Sequence, residues 1–311
     1  MHAVSCPLCG KDQKTEFLRV PDSLGLSGQV FTLVRCAGCG MVYLDPRPAA
    51  AEMAAFYPSG YCWQEKAGGL AGFYRDLILR AEIGILSRLL PKPGRMLDVG
   101  CGSGDYLRLF RKRGWEACGV ESSGPAADHA ASARGLAVHR GDVFSARFPD
   151  SHFDLVTYFQ VLEHVPDPGA QVGECFRILR PGGVLLVQVP NIESAQFRRY
   201  REGWLHLSVP QHLSHFSPAT LRKLLVSRGF EVRAERQFSV RMDPLVDVVS
   251  RRPELRPCVF PGLGGGCGTW GKMCYLLLTL GAIPRVRAEA RAGMGATLAV
   301  AARKPARRVG Q

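Results

Sequence analysis

The chain has 311 residues, of which 46% are hydrophobic, and it carries 11 cysteines and a formal net charge of +13. This length suffices for one large domain and a small one, and the composition excludes a disordered or collagen-like chain. No signal-peptide-like apolar segment stands at the start, and no run reaches about 18 apolar residues. We therefore expect a soluble, cytoplasmic protein whose positive charge favours anionic partners such as RNA, nucleotide-linked molecules or acidic lipid surfaces.

Two short cysteine pairs, "CPLCG" and "CAGCG", lie near the N-terminus in a C-x2-C…C-x2-C arrangement. Two thiolates on each tight turn can together enclose one ion in a tetrahedral site without an open position, which is the donor set of structural zinc. The sequence therefore predicts a zinc ribbon over residues 1–45, with a redox or incidental role as the alternative. The four predicted ligands are Cys6, Cys9, Cys36 and Cys39.

The other seven cysteines are scattered, mostly among apolar neighbours. Because nothing in the sequence marks the chain for export, we predict that they are reduced thiols. They are Cys62, Cys101, Cys118, Cys175, Cys258, Cys267 and Cys274.

Residues 46–94 form a predicted linker and lead-in helix. Proline residues are followed by apolar residues at helical spacing over 70–90, which predicts a helix that packs on the following sheet. "PKPG" at 91–94 ends it. Four aromatic residues could line the mouth of a cofactor site, although core packing is favoured for them: Tyr57, Tyr61, Trp63 and Phe73.

From residue 95 the sequence alternates between strand-like and helical segments as far as residue 240. This alternation predicts an α/β fold with a doubly wound, Rossmann-like parallel sheet, in which ligands bind at the carboxyl ends of the strands. Two later strands bring the total to seven. The predicted strands lie at 95–100, 116–121, 136–142, 153–160, 182–190, 230–239 and 295–305.

The first of these strands runs into a glycine loop, "LDVGCGSG". Gly100, Gly102 and Gly104 have G-x-G-x-G spacing. Asp105 stands where a dinucleotide fingerprint needs its third glycine, and the lysine of a phosphate loop is absent as well. Asp98, at the strand end, would repel a phosphate but suits a cation. The loop therefore favours a ligand that carries an ammonium or sulfonium group and no phosphate.

Two further acids stand at the ends of the next strands. Glu121 ends the second strand, where a carboxylate can accept hydrogen bonds from both ribose hydroxyls of a nucleoside. Asp142 ends the third strand and could accept a hydrogen bond from an adenine amino group. With Asp98, these residues predict a site for an adenosine that carries a cationic tail.

Taken together, "LDVGCGSG", "GVE", "GD" at 141–142, "FDLVTYFQVLEHVPDP" and "LRPGGVLLVQVPN" resemble the ordered motifs of class I S-adenosylmethionine-dependent methyltransferases. The resemblance covers about residues 95–240, and it implies that the last strand runs antiparallel. The cysteine pairs and residues 211–232 resemble a subgroup with an N-terminal four-cysteine module, near the sugar C-methyltransferases. The resemblance implies that S-adenosylmethionine is bound by Asp98, Gly100, Gly102, Gly104, Glu121 and Asp142.

The candidate catalytic residues lie in two segments after the fourth and fifth strands of this domain. Glu163 and His164 stand in "VLEHVPDP", and the histidine could take a proton from an acceptor. The segment "WLHLSVPQHLSHFS" adds three histidines, His206, His212 and His215. The last two stand just before a predicted helix, whose start is indicated by Ser217 and Pro218. Acceptor binding or proton transfer by His212 or His215 is favoured over a metal site, because two ligands alone are weak evidence. A purely structural role stays open for all of them.

Residues 241–294 form a predicted helical insert, and residues 295–311 hold the last strand and a basic tail. The insert could determine acceptor specificity. It could also contact a lipid surface through Trp270 and the "YLLLTL" segment. The third alternative is an ordinary helical hairpin packed on the domain.

We therefore expect a class I S-adenosylmethionine-dependent methyltransferase with a structural zinc ion, which transfers a methyl group in line to a small or carrier-linked acceptor. A sugar or an anionic molecule would fit this description. One alternative is an RNA methyltransferase that binds nucleic acid through the zinc ribbon and the basic C-terminus. The other is a non-catalytic scaffold that binds the cofactor.

Overall fold

The computed structural model describes residues 1–57, 69–86, 89–90, 92–260 and 267–306. Tyr61, Cys62, Trp63 and the last five residues of the basic tail lie outside this part of the chain, as does the side chain of Phe73.

The described residues contain eleven strands and ten α-helices. The strands are β1 (Lys14–Pro21), β2 (Val30–Cys36), β3 (Val42–Leu44), β4 (Arg95–Val99), β5 (Glu116–Glu121), β6 (Ala137–Arg140), β7 (Phe153–Phe159), β8 (Leu179–Pro190), β9 (Ser214–His215), β10 (Glu231–Arg236) and β11 (Thr297–Arg303). The helices are α1 (Ala50–Met53), α2 (Gly69–Glu82), α3 (Asp105–Arg111), α4 (Gly124–Arg134), α5 (Pro168–Ile178), α6 (Ala195–Tyr200), α7 (Pro218–Ser227), α8 (Met242–Arg251), α9 (Arg256–Val259) and α10 (Thr269–Arg291).

Short 3₁₀ turns connect several of these elements. They lie at Ala54–Phe56, Ile83–Leu86, Leu162–His164, Arg201–Gly203, Leu205–Leu207 and Pro253–Leu255. The helix predicted over 70–90 is therefore α-helical only as far as Glu82. Gly84 lies in the 3₁₀ turn that follows, where a residue of low helix propensity weakens the α-helix.

Seven strands form one mixed sheet in the order β10-β11-β8-β7-β4-β5-β6. The pairs from β8 to β6 are parallel, whereas β11 runs antiparallel to both β8 and β10. The predicted seven-stranded α/β fold and its antiparallel last strand are thus confirmed. Strands β5 and β6 lie on one side of β4, and the chain then returns to place β7 on the other side of β4. This reversal between β4 and β7 is the switch point at which such sheets bind ligands.

Both faces of the main sheet are buried. On β4, Met96 and Leu97 point to opposite faces and belong to two separate hydrophobic clusters. One cluster includes side chains of α5 and α7, and the other includes side chains of α2, α3 and α4. Since helices cover both faces, the strands are the centre of a three-layer structure.

A second, four-stranded antiparallel sheet has the order β1-β2-β3-β9. Its first three strands come from the predicted ribbon, but β9 comes from the loop after α6. In this pair Val42 is opposite His215 and Tyr43 is opposite Ser214. The ribbon predicted over residues 1–45 therefore shares its sheet with the methyltransferase-like domain, which the sequence pattern did not indicate.

Strands β2 and β3 of the small sheet bury side chains on both faces. Tyr43 and Met41 pack in the same cluster as Phe216 and the α5 side of the main sheet. Leu33 and Leu44 point the other way, into a cluster that includes Trp204 and side chains of α8. The N-terminal region therefore contributes to two hydrophobic clusters that it shares with the rest of the chain.

The helical insert predicted over 241–294 is present as α8, α9 and α10. One face of α10 packs on α8 and α9 through Tyr275, Leu278 and Ala282. The opposite face leaves large apolar side chains exposed, namely Trp270, Met273, Leu276, Leu277 and Leu280. Contact of this face with a lipid surface stays a prediction. Within the part of the chain that the structure describes, no helix combines the length and the apolar character that a bilayer span requires.

One expectation about the cysteines is wrong. Cys258 and Cys267 form a disulfide, with their Cα atoms 4.9 Å apart. Because α9 packs against α10, residues that flank the connection between these helices come together. The scattered spacing of the two cysteines gave no indication of this. Of the other predicted thiols, Cys101, Cys118, Cys175 and Cys274 are free.

A buried carboxylate joins three helices around the insert. Asp247 of α8 accepts a hydrogen bond from Tyr200 Oη at 2.8 Å and has Arg199 Nη1 of α6 at 3.4 Å. Arg285 of α10 pairs with its other oxygen. The Asp247 side chain is fully buried, whereas both arginines are 39% exposed. This carboxylate therefore fixes α10 to the rest of the domain.

We predict that Asp247→Ala lowers the free energy of unfolding by about 3 kcal/mol, the lower end of the cost of breaking a buried ion pair, because the two arginines stay partly hydrated. Urea denaturation would measure the loss. The control is Glu254→Ala, which removes an exposed ion pair with Arg252 and should cost less than about 1 kcal/mol. Equal losses in the two variants would contradict the role of Asp247.

Candidate active site and cysteine cluster

The glycine loop after β4 has the backbone conformation that its composition predicts. Gly100, Gly102 and Gly104 have φ angles of 67°, 52° and 78°, a region in which other residues are strained. A Cβ atom on Gly100 would lie 2.5 Å from a methyl carbon of Val161. A Cβ atom on Gly102 would meet no atom within 4 Å. The loop is thus closely packed on one side and open at Gly102, where a ligand can approach the backbone.

Asp98 lies at the end of β4 and is almost completely buried. Its Oδ1 accepts a hydrogen bond from Thr157 Oγ1 on β7 at 2.7 Å. Burial raises the pKa of this carboxyl to about 7, and the nearby Glu121 raises it further, whereas the threonine opposes the shift. The charge of Asp98 is therefore costly to hold unless a cation compensates it.

Glu121, at the end of β5, is held by two backbone groups. Its Oε2 accepts a hydrogen bond from the N–H of Gly102 at 2.8 Å, and its Oε1 accepts one from the N–H of Ser123 at 2.7 Å. These bonds orient the carboxylate and connect the loop after β5 to the glycine loop after β4. The structure thereby brings Glu121 and Gly102 together, as the resemblance implied.

Asp142 follows β6 and is exposed. Its Oδ1 accepts hydrogen bonds from the N–H groups of Phe144 and Ser145, at 3.1 and 2.7 Å. The backbone hydrogen bond from Ser145 is the main reason that its pKa is below the usual value. The residue thus stabilises a turn, and its predicted contact with an adenine stays a prediction.

A cavity of about 210 Å³ lies beyond the ends of β7 and β8. Its wall is partly apolar, with side chains from α3 and β7 on one side and from α8 and α9 on the other. The helical insert therefore roofs the cavity. The apolar wall consists of Tyr106, Phe159, Leu205, Met242, Leu245, Val259 and Phe260, and the polar wall of Gln160, His164, Gln188, His206, Ser208, His212 and Arg241.

Several of these residues were missed in the sequence, among them Tyr106, Phe159, Gln160, Gln188 and Arg241. Tyr106 and Phe159 stack with ring centroids 3.7 Å apart. Tyr106 directly follows the glycine loop, and Phe159 lies within "FDLVTYFQVLEHVPDP". Gln188 is a polar residue within the apolar strand "VLLVQVP", which was the one usable signal. Gln160 has a positive φ of 57°, and Arg241 reaches the cavity from the insert. Neither property can be recognised from the local sequence.

Glu163 and His164 lie in a 3₁₀ turn directly after β7. Glu163 is 1% exposed, and neither of its carboxylate oxygens has a hydrogen-bond partner. Burial raises its pKa to about 8 and lowers that of His164 to about 4. At neutral pH both side chains are therefore predominantly uncharged.

The other predicted histidines surround His164. The rings of His164 and His212 are edge to face with centroids 4.5 Å apart, and His215 lies 6.2 Å from His212. Burial lowers the pKa of His206 and of His215 to about 3, and it lowers that of His212 well below the usual value. His164 and His212 face the cavity, whereas His215 sits on β9 behind them. The predicted helix start at Ser217 is confirmed.

The four N-terminal cysteines form one cluster at a distance from these histidines. Cys6 Sγ is 3.4 Å from Cys39 Sγ, and Cys9 Sγ is 3.5 Å from Cys36 Sγ. All four sulfur atoms lie within 4.8 Å of one another. Tetrahedral zinc with bonds of about 2.3 Å separates its sulfur ligands by about 3.8 Å. The donor set and its spacing therefore fit a zinc ion.

The two cysteine turns have the same backbone hydrogen bonds. Gly10 N–H donates to the carbonyl of Cys6, and Gly40 N–H donates to that of Cys36, both at 2.9 Å. Both glycines have positive φ angles, of 73° and 77°. The repeated geometry explains why each C-x2-C pair is followed by glycine.

A comparison with known families identifies the class of protein. The model of a methyltransferase domain family matches residues 68–235, which is more than half of the chain, and the chain belongs to this family. A solved structure, of a putative sarcosine dimethylglycine methyltransferase from Galdieria sulphuraria, shares the fold. It superposes with a TM-score of 0.50 and 18% identity over 76% of this chain and 87% of that one.

Relatives identify the reaction class more closely. A probable S-adenosylmethionine-dependent methyltransferase of Mycolicibacterium smegmatis is 35% identical over 44% of this chain and 52% of its own length. A ubiquinone biosynthesis O-methyltransferase of Rhodopseudomonas palustris is 27% identical over 66% of this chain and 88% of its own length. The chain thus spans about half the length of the first relative. The chain is thus a member of the methyltransferase family, and the first of these relatives is named as S-adenosylmethionine-dependent.

We predict that Gly100→Ala lowers the free energy of unfolding by about 1–3 kcal/mol more than Gly102→Ala does. Both variants have the strain of a positive φ, but only the methyl group on residue 100 is forced into Val161. Chemical denaturation of the two variants would measure the difference. Equal losses would show that Gly100 does not pack as tightly as described.

Proposed function

We propose that the protein transfers a methyl group from S-adenosylmethionine to a hydroxyl group of a small or carrier-linked acceptor in the cavity. The observation that carries this proposal is the position of the cavity, at the carboxyl ends of β7 and β8 and with a wall of uncharged histidines. Relatives named as O-methyltransferases support oxygen as the acceptor atom.

The cofactor site we propose consists of Asp98, Gly100, Gly102, Gly104, Glu121 and Asp142. Bound there, S-adenosylmethionine supplies a methyl group on a positively charged sulfur. The open space at Gly102 supports close approach to the loop. Asp98 contributes a buried carboxylate that a cationic ligand would keep ionised, and Glu121 contributes a carboxylate that is already oriented. Asp142 is the least constrained member of the set.

The acceptor side is built mainly by the insert and the histidine segment. Met242, Leu245 and Phe260 supply apolar surface, and Arg241 supplies a positive charge at the cavity. This combination favours an acceptor that has an apolar body and an anionic group, although an uncharged one would also fit the apolar wall. We propose that the insert determines acceptor specificity.

Proton removal from the acceptor would fall to the cluster of Glu163, His164, His212 and His215. Because their pKa values lie far below 7, the histidines present lone pairs at neutral pH. Such lone pairs can accept the proton of a hydroxyl, or they can bind an electrophile that makes the hydroxyl more acidic. His215 lies behind His212 and would support it.

We further propose that Cys6, Cys9, Cys36 and Cys39 bind a structural zinc ion. Four thiolates leave no position open for a reactant, so its contribution is to stability. The ribbon strands pair with β9, which carries His215, and the ion would therefore also stabilise the wall of the cavity.

The alternatives predicted from sequence receive different support. Membership of a methyltransferase family favours an enzyme over a non-catalytic scaffold. Binding of RNA or of a membrane surface stays a prediction. The outward face of α10 is the feature of the described residues that suits a lipid surface.

The acceptor class can be tested with S-adenosylmethionine that carries a labelled methyl group. The purified protein would be incubated with an extract of the source cells, which is then separated into RNA, polar metabolites and lipids. We expect label in the metabolite or lipid fraction. The amount should be lower with His212→Asn than with the control His152→Asn, because His152 lies just before β7, at the opposite end of the strand from the cavity. Label in RNA that is lost on nuclease treatment would contradict the proposal.

The Asp98 assignment predicts that S-adenosylmethionine binds more tightly as the pH rises from 6 to 8. The carboxyl, with a pKa of about 7, must lose its proton before it can pair with a cationic ligand. Below pH 7 the affinity should fall by up to about tenfold per pH unit, because binding then releases one proton. Calorimetric titration would measure this. Asp98→Asn should bind more weakly and with a flatter pH profile, and an unchanged profile would refute the assignment.

A further inference from the structure

Three side chains at the cavity could bind one cation together. Glu163, His164 and His212 each offer one ligand atom, and these three atoms lie within 4.8 Å of one another. Two of the residues follow β7 and the third comes from the loop after α6, so only the folded chain brings them together. The sequence indicated two histidines for this loop and no third ligand.

The hydrogen bonds of the two imidazoles leave one nitrogen of each available. Nδ1 of His164 is 3.0 Å from the carbonyl oxygen of Gln211, and Nδ1 of His212 is 2.8 Å from that of His206. A carbonyl oxygen can only accept, so each of these contacts is a hydrogen bond when Nδ1 carries the proton. The hydroxyl of Tyr57 also lies 3.1 Å from Nδ1 of His164 and can accept from the same N–H. The lone pair is then on Nε2. Donation of Nδ1–H to a backbone carbonyl is the outer contact that metal-binding histidines usually have.

Glu163 provides the second, independent observation. Its side chain is 1% exposed, and both carboxylate oxygens are buried without a hydrogen-bond partner. A buried polar group without a partner costs about 1–3 kcal/mol, and more when it is charged. Among the described residues, no lysine or arginine forms a hydrogen bond with this carboxylate. A cation would remove this cost.

We propose that Glu163, His164 and His212 bind a divalent transition-metal ion at the wall of the acceptor cavity. This inference rests on the proposed function and deepens it. Two histidines and one carboxylate are the protein ligands of several catalytic zinc and non-haem iron sites, in which at least one position is left for water or substrate. Here His164 and His212 line the cavity, so the open position faces the acceptor.

The spacing is compatible with such an ion after small rotations of the side chains. Ligand atoms at about 2.1 Å from a tetrahedral ion lie about 3.4 Å apart, compared with a limit of 4.8 Å for these three. An acceptor hydroxyl bound at the open position would become more acidic and would lose its proton to water at neutral pH. This site differs from the cysteine cluster, whose four thiolates suit a closed site.

Cobalt(II) distinguishes the two sites, because thiolate ligands give intense charge-transfer absorption and nitrogen and oxygen ligands do not. The protein as purified, with the cysteine site filled, would be titrated with Co²⁺ and followed by visible absorption and calorimetry. We expect one further equivalent to bind, with weak visible bands and no thiolate charge transfer. Glu163→Gln and His212→Asn should each raise the dissociation constant for Co²⁺ by at least about 100-fold. Loss of an outer contact alone costs up to about 100-fold, and each variant removes a direct ligand.

The control variant His152→Asn removes a histidine at the opposite end of β7 from the cavity and should leave cobalt binding unchanged. Absence of the further equivalent in the unmodified protein, or its persistence in Glu163→Gln, would overturn the proposal. Titration of the same samples with S-adenosylmethionine separates this failure from failure of the proposed function. If Glu163→Gln binds the cofactor as the unmodified protein does, the variant is folded and the cofactor site stands independently of the metal.

Discussion

The backbone of Leu213 connects the two sheets of this protein, and the acceptor side of the active site depends on it. Leu213 N–H donates to the carbonyl of Glu163 at 2.8 Å, and its own carbonyl accepts from the N–H of Leu44 at 3.0 Å. The first bond fixes the turn after β7, and the second fixes strand β3 of the four-stranded sheet. The segment that contains His212 and His215 therefore lies between two rigid supports. This arrangement gives the N-terminal four-cysteine region a direct structural role at the wall of the cavity.

Desolvation determines the electrostatics of the site. The histidines are uncharged because burial disfavours the imidazolium form, and Asp98 and Glu163 have raised pKa values for the corresponding reason. Such a site is poorly solvated when empty, and it gains from a ligand or ion that satisfies its polar groups. A positively charged cofactor suits Asp98, and a hydroxyl or a metal ion suits the histidine cluster. In both halves of the site, buried polar groups would gain hydrogen bonds or ionic contacts from a bound ligand.

The strands and the glycine loop of the proposed cofactor half could be predicted from sequence because their signals are local. Each strand ends in its own acid or glycine loop, and the order of the strands in a parallel sheet brings those ends together. The acceptor half could not be predicted to the same extent. Gln188 and Arg241 reach one cavity from β8 and the insert, and β9 has only two residues, too few for a periodic pattern. Glu163 was recognisable as a motif residue, but its lack of partners depends on packing from several segments.

The disulfide between Cys258 and Cys267 illustrates the same limit, since the contact arises from how α9 meets α10. That contact also bears on specificity. Val259 and Phe260, directly after Cys258, line the cavity, and α10 is held to α8 through Arg285 and Asp247. The roof of the acceptor site is therefore fixed by one covalent bond and one buried charge cluster, both outside the cofactor-binding core. If the insert determines the acceptor as proposed, changes in it would leave the glycine loop and the strand ends intact, which is the arrangement expected where function resides in a site carried by a common fold.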